Sequence, residues 1–153
     1  MHTDRALDLA LEHLGVDGAS LDDAGRQTLE FGDGIPAQIE ELDDTTVRLV
    51  AFIDAIKLTE PLAKREVLEA NCLGAGTGAA RYSADTVTGR AKLSQTVDLA
   101  PLDDEGFAAA LHQFTGHVAY WMAEHADQLN VQIASDKHAK AQMSENATTI
   151  IRG

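Results

Sequence analysis

The chain is short of the residues with which small proteins staple themselves together or do chemistry. It has one cysteine, Cys72, so an internal disulfide is ruled out, and a lone thiol in a chain of ordinary composition reads first as a small buried hydrophobe. Aromatic residues make up 5% of the sequence, too few for the stacking platforms of single-strand nucleic-acid binders. Cations are scarce: 12 Lys and Arg stand against 25 Asp and Glu, a net charge of −13. A surface that negative repels phosphate backbones and anionic lipid, so neither nucleic acid nor a membrane is expected as a partner. No apolar run approaches the length that spans a bilayer. The start, Met-His-Thr-Asp, lacks a basic segment followed by an apolar core. A soluble, cytoplasmic protein is expected.

What is present is enough for one domain. A chain of 153 residues, 44% of them apolar and 24% charged, can bury a core unaided by metal or disulfide. Its organising stretch runs from Glu60 to Leu99. Pro61 to Leu73 reads as a helix, with Pro61 at the first helical position and Gly74 able to take the left-handed cap just past Leu73. At about 100° per residue, Ala63, Val67, Ala70 and Leu73 share a broad arc that should pack on a sheet. Pro61, Leu68 and Cys72 form a second stripe on the opposite side, edged by Lys64 and Arg65. That stripe is either a set of half-exposed singletons or a self-association surface of the kind that suits a twofold contact.

The remaining elements follow from periodicity. Thr3 can cap a helix with Leu7, Leu11 and Leu14 on one stripe and Gly15 at its end, leaving Leu9 as an apolar candidate outside the stripe. Val16 to Ala24 reads as a loop. Arg26 to Phe31 alternates, with Gln27, Leu29 and Phe31 on one face, and Asp33-Gly34 gives a hairpin signal before Ile35, Ala37 and Ile39. Val47 to Ile56 is the most apolar strand. Val47, Leu49, Ala51, Ile53 and Ala55 make its core face, while Val50, Phe52 and Ile56, interleaved with Arg48 and Asp54, are either covered or offered to a partner. Ala79 to Ala84 and Arg90 to Leu99 form a hairpin around Asp85 to Gly89. The last helix opens at Asp103 with Leu102 and Phe107 at staple positions, and carries the stripe Phe107, Leu111, Phe114, Val118, Met122, His125 and Leu129. From Asn130 the apolar density falls, and residues 131–153 are expected to be a mobile tail behind a domain spanning 1–130. The fold class is α+β: an antiparallel twisted sheet with helices on one side, in the order α-β-β-β-α-β-β-α.

The motifs that suggest chemistry are better explained structurally. Gly74-Ala-Gly-Thr-Gly78 follows a helix and precedes a strand, the reverse of a phosphate cradle. His112, His117 and His125 lie on one helix, but no His-x3-His pair occurs there and His117 and His125 stand about 12 Å apart along its axis, too far to share an ion. His125, on the apolar stripe, reads as a core or interface histidine. There is no Gly-x-Ser-x-Gly elbow, and Cys72 sits near a helix C-terminus, not at the N-terminus that suits a reactive thiolate. No catalytic residues, cofactor or metal site are assigned. A small metal-dependent hydrolase built on the three histidines, or a regulatory dimer, are the alternative readings.

The pattern resembles the class I type III secretion chaperones of the Tir-chaperone (CesT) type. The resemblance is carried by Leu29-Glu-Phe31 before the Asp33-Gly34 turn, Val47-Arg-Leu-Val50, Leu68-Glu-Ala-Asn-Cys-Leu73, Gly76-Thr-Gly78, and Leu93 to Leu99 followed by Leu102-Asp103. It covers about residues 1–130. It implies a non-enzymatic cytosolic homodimer, paired partly through the second helix, that uses no cofactor. Such a dimer binds a segment near the N-terminus of a secreted effector, keeps it soluble, and presents it to the secretion apparatus, whose ATPase is a further candidate partner. Transferred to this chain, the dimer candidates are Pro61, Lys64, Arg65, Leu68 and Cys72. The effector-contact candidates are Leu9, Val50, Phe52 and Ile56, joined by strand addition at an open sheet edge.

Overall fold

A computed structural model describes residues 1–14, 21–31, 34–74, 76–85 and 87–151, with side chains left aside for Leu14 and 145–151. The elements are α1 (Thr3–Leu14), β1 (Arg26–Phe31), β2 (Ile35–Asp43), β3 (Thr46–Lys57), α2 (Pro61–Asn71), β4 (Arg81–Ala84), β5 (Arg90–Asp98), α3 (Asp104–Met122) and α4 (Glu124–Ile151). The strands form one sheet in the order β1-β2-β3-β5-β4, with every neighbouring pair antiparallel. β3, the most apolar strand, lies at its centre. The expected element order and fold class are those observed, up to the helix that follows α3.

Alternation along the strands builds the core. Leu29 and Phe31 of β1, Ala37 and Ile39 of β2, Val47, Leu49, Ala51 and Ile53 of β3, and Ala91, Leu93 and Val97 of β5 all point to the face that the helices cover. Phe107, Leu111, Phe114, Val118 and Trp121 of α3 pack there, with Ala6, Leu7, Ala10 and Leu11 of α1 and Ala63, Val67 and Ala70 of α2. Asp103 caps α3 by accepting the Gly106 N–H at 2.9 Å. Thr3 does not cap α1. Its hydroxyl donates to the Asp43 carbonyl at 2.9 Å and its N–H to Asp44 at 3.0 Å, which fastens the helix start to the β2–β3 turn. Gly15, Asp33 and most of the Val16 to Ala24 loop lie outside the described residues.

Four expectations are corrected. α2 ends at Asn71, because Cys72 adopts an extended ψ and Leu73 a left-handed φ of 54°; Leu73 therefore leaves the packing arc and is 99% exposed. Its neighbour Cys72 is exposed as well. The register of β3 against β5 shifts between Ile53 and Lys57, which turns Ile56 into the core instead of outward. The last helix is two helices, broken at Ala123 (φ −105°, ψ −87°). The segment after Asn130 takes helical backbone as far as Ile151, as part of α4, with Leu129 buried, Ile133 half-buried and 134–144 exposed; residues 152 and 153 lie outside the described residues.

Candidate partner-binding surface

Two surfaces carry apolar groups that the fold leaves uncovered. On α2, Pro61 starts the helix, Ala63, Val67 and Ala70 face the core, and the opposite side bears Leu68 at 69% exposure. Pro61, Lys64, Arg65 and Cys72 are exposed around it, so the three residues of the second stripe and the two cations that edge it all stand at the surface. Arg65 is held along the helix by Glu69 at 3.5 Å and Glu66 at 3.7 Å. Leu73, just past the helix end, is a further exposed apolar residue. Nothing in the residue pattern betrayed it, since its exposure depends on where the helix stops.

Beside Leu68 lies a mostly apolar groove of about 410 Å³ between α2 and β4, lined by Leu58, Val67, Leu68, Tyr82 and Ala84 among others. Asn71 also lines it. The Asn71 amide donates to the Tyr82 carbonyl at 3.0 Å while the Tyr82 N–H donates back to Asn71 Oδ1 at 2.7 Å. The Tyr82 ring packs edge-on against Trp121, and burial pushes its hydroxyl to ionise well above the usual tyrosine range. Trp121 in turn donates its indole N–H to the Gly76 carbonyl at 3.0 Å, fixing the glycine-rich connection to α3. That connection serves packing: Gly78 has a φ of +59°, and a Cβ there would meet His117 Nε2 at 2.8 Å.

The second surface is the sheet face away from the helices. Val50 lies on it at 2% exposure, flanked by Arg48 and Phe52 on its own strand and by Gln38 and Ser94 across the ladder. It is sealed and offers no area, and Ile56 is in the core. Phe52 stays half-buried, with the Arg90 guanidinium carbon 4.3 Å over its ring and Arg90 paired to both oxygens of Asp54 at 2.5 and 2.9 Å. Leu9 is half-buried against the core. Of the four contact candidates, Leu9 and Phe52 keep accessible surface.

The histidines are not gathered. His112 is exposed, His117 packs on Gly78, and His125 sits between Trp121 and Glu66. Among the described residues no group of three or more His, Cys, Asp or Glu is placed to hold a metal ion, and no helix is long and apolar enough to cross a membrane.

A family model described as the Tir chaperone protein (CesT) family matches residues 5–122. The chain belongs to that family. The match stops at the end of α3, so α4 lies beyond it. Three solved structures share the fold. A chain of the ExsC-ExsE complex is 22% identical with a TM-score of 0.64, over 78% of this chain and 90% of that one. A chain of the HopA1-SchA chaperone-effector complex is 12% identical with a TM-score of 0.63, over 78% and 91%. A chain of the ExoU-SpcU heterodimeric complex from the type III secretion system of Pseudomonas aeruginosa is 16% identical with a TM-score of 0.59, over 75% and 93%. At these identities the likeness is one of fold. No curated protein matches by sequence.

Proposed function

We propose that this CesT-family member is a cytoplasmic, non-enzymatic chaperone that binds the N-terminal region of a type III secreted effector and keeps it soluble and fit for export. Family membership across residues 5–122 carries the reading, and the uncovered apolar side of α2 supports it. The working form is a homodimer. Leu68, Cys72, Pro61, Lys64 and Arg65 form a compact patch in which the cations precede Leu68 and Glu69 follows it, so two antiparallel copies of α2 set opposite charges side by side. Residues 1–130 are the binding body; Leu9 and Phe52 are its effector contacts.

Purification of the tagged chain from its native host, followed by mass spectrometry, tests this directly. The expected result is one or a few secreted proteins held through a segment near their N-termini, released when that segment is deleted. Recovery of the chain with no secreted protein bound, under conditions where secretion is active, overturns it.

A further inference from the structure

His125 stands where three elements meet, one residue pair past the break that separates α3 from α4. Its ring lies 4.1 Å from that of Trp121 and 5.6 Å from that of Tyr120. Its Nδ1 is 3.4 Å from the Tyr120 hydroxyl. Its Nε2 is sealed from solvent, makes no hydrogen bond to any described residue, and points toward Glu66 of α2, with 3.8 Å to the nearer carboxylate oxygen. A neutral imidazole there leaves a buried nitrogen without a partner, which is unfavourable. A protonated one can donate to Tyr120 and to Glu66 at once, beside two aromatic rings.

We propose that His125 is a proton-operated latch between α4 and α2: protonated, it closes on Glu66 and fixes the start of the C-terminal helix; neutral, it releases that contact. The charges around it bear this out. Glu66 faces it from α2, Tyr120 from α3, and Tyr82 of β4 lies behind Trp121. Glu124 and Asp127 are its nearest carboxylates on its own element, exposed and at helix positions that do not face it. Arg65, 3.7 Å from the other oxygen of Glu66, competes for that carboxylate but is 64% exposed and also pairs with Glu69. The end of α3 favours a cation and the start of α4 opposes it, so the two helix dipoles offset each other and Glu66 decides. Since the charged form has the partner, the latch holds on the acid side of the imidazole titration and lets go as pH rises through it. α4 lies outside the family match, so the latch governs the part of the chain in which this protein departs from the common pattern.

Trp121 is the chain's single tryptophan and an internal reporter, because a protonated imidazole in contact with an indole quenches its emission. The experiment is a fluorescence titration of the full chain between pH 5 and 8, joined to a thermal double-mutant cycle of His125→Gln and Glu66→Gln at pH 5.5 and pH 8. The expected result is an acid-side drop in emission that His125→Gln abolishes. The cycle should give a coupling worth about two- to fivefold in the folding constant at pH 5.5 and none at pH 8. An emission step that survives His125→Gln, or a coupling that is absent or equal at both pH values, overturns the proposal. Should His125→Gln fail to fold, Glu66→Gln alone decides: its stability relative to wild type falls at pH 5.5 and matches it at pH 8 if the latch exists, and shows no such pH dependence if it does not.

Discussion

Asn71 and Tyr82 are joined by a reciprocal pair of hydrogen bonds, 2.7 and 3.0 Å long, through which a helix side chain satisfies both backbone groups of an edge strand. The contact makes β4 a closed edge at this position and ties it to α2, whose Lys64 and Leu68, part of the proposed dimer patch, line the same groove. Replacing Asn71 by Ala strands one donor and one acceptor, and should lower stability by about 2 kcal/mol. Urea denaturation of the variant against wild type measures it.

Leu68→Asp tests the α2 patch. At 69% exposure the side chain contributes little to the fold, so the change in stability should stay within about 0.5 kcal/mol. In a dimer the same change buries unpaired charge against its own twofold image. Sedimentation should report a folded monomer where wild type gives a dimer.

Leu73→Asn separates two explanations of the exposed leucine. Asparagine accepts the left-handed φ of 54° that Leu73 adopts, so the fold should be unharmed or up to about 1 kcal/mol more stable. If Leu73 extends the α2 surface, self-association weakens; concentration-dependent light scattering on the folded variant reads the difference.

Phe52→Asp addresses the outer sheet face. It removes the ring under Arg90 and should cost about 1 kcal/mol without loss of helical circular dichroism, because the ring is half-buried and outside the core. Retention of the native partner in a pull-down should fall. A large loss of helicity would place Phe52 in the core.

Arg5 and Asp104 clip α1 to α3, and their hydrogen bond holds the Asp104 carboxyl below its usual value of 3.8. A carboxylate with a depressed folded pKa stabilises above its unfolded value and loses that contribution as pH falls through the folded one. The stability gap between wild type and Asp104→Asn should therefore be full at neutral pH and close progressively below about pH 3.8. Thermal melts from pH 7 down to pH 2.5 follow it. Both groups are exposed, so added salt should shrink the gap as well.

Periodicity and caps are local, so what depends on them could be read from the residues: the order of the elements through α3, the sheet face that Leu29, Leu49 and Leu93 share, the Asp103 cap, and the two sides of α2. A family pattern in the same residues pointed to the function. The tertiary structure decided what depends on where regular geometry fails. The end of α2 at Asn71 exposed Leu73, a register shift after Ile53 turned Ile56 inward, and neighbouring strands closed over Val50, each set by packing between segments far apart in the chain. The helix after Ala123 belongs to the same class, since its first turns are anchored by Ala126 and Leu129 on the core and by Lys137 on Glu60 at 2.7 Å, partners that no window along the sequence contains.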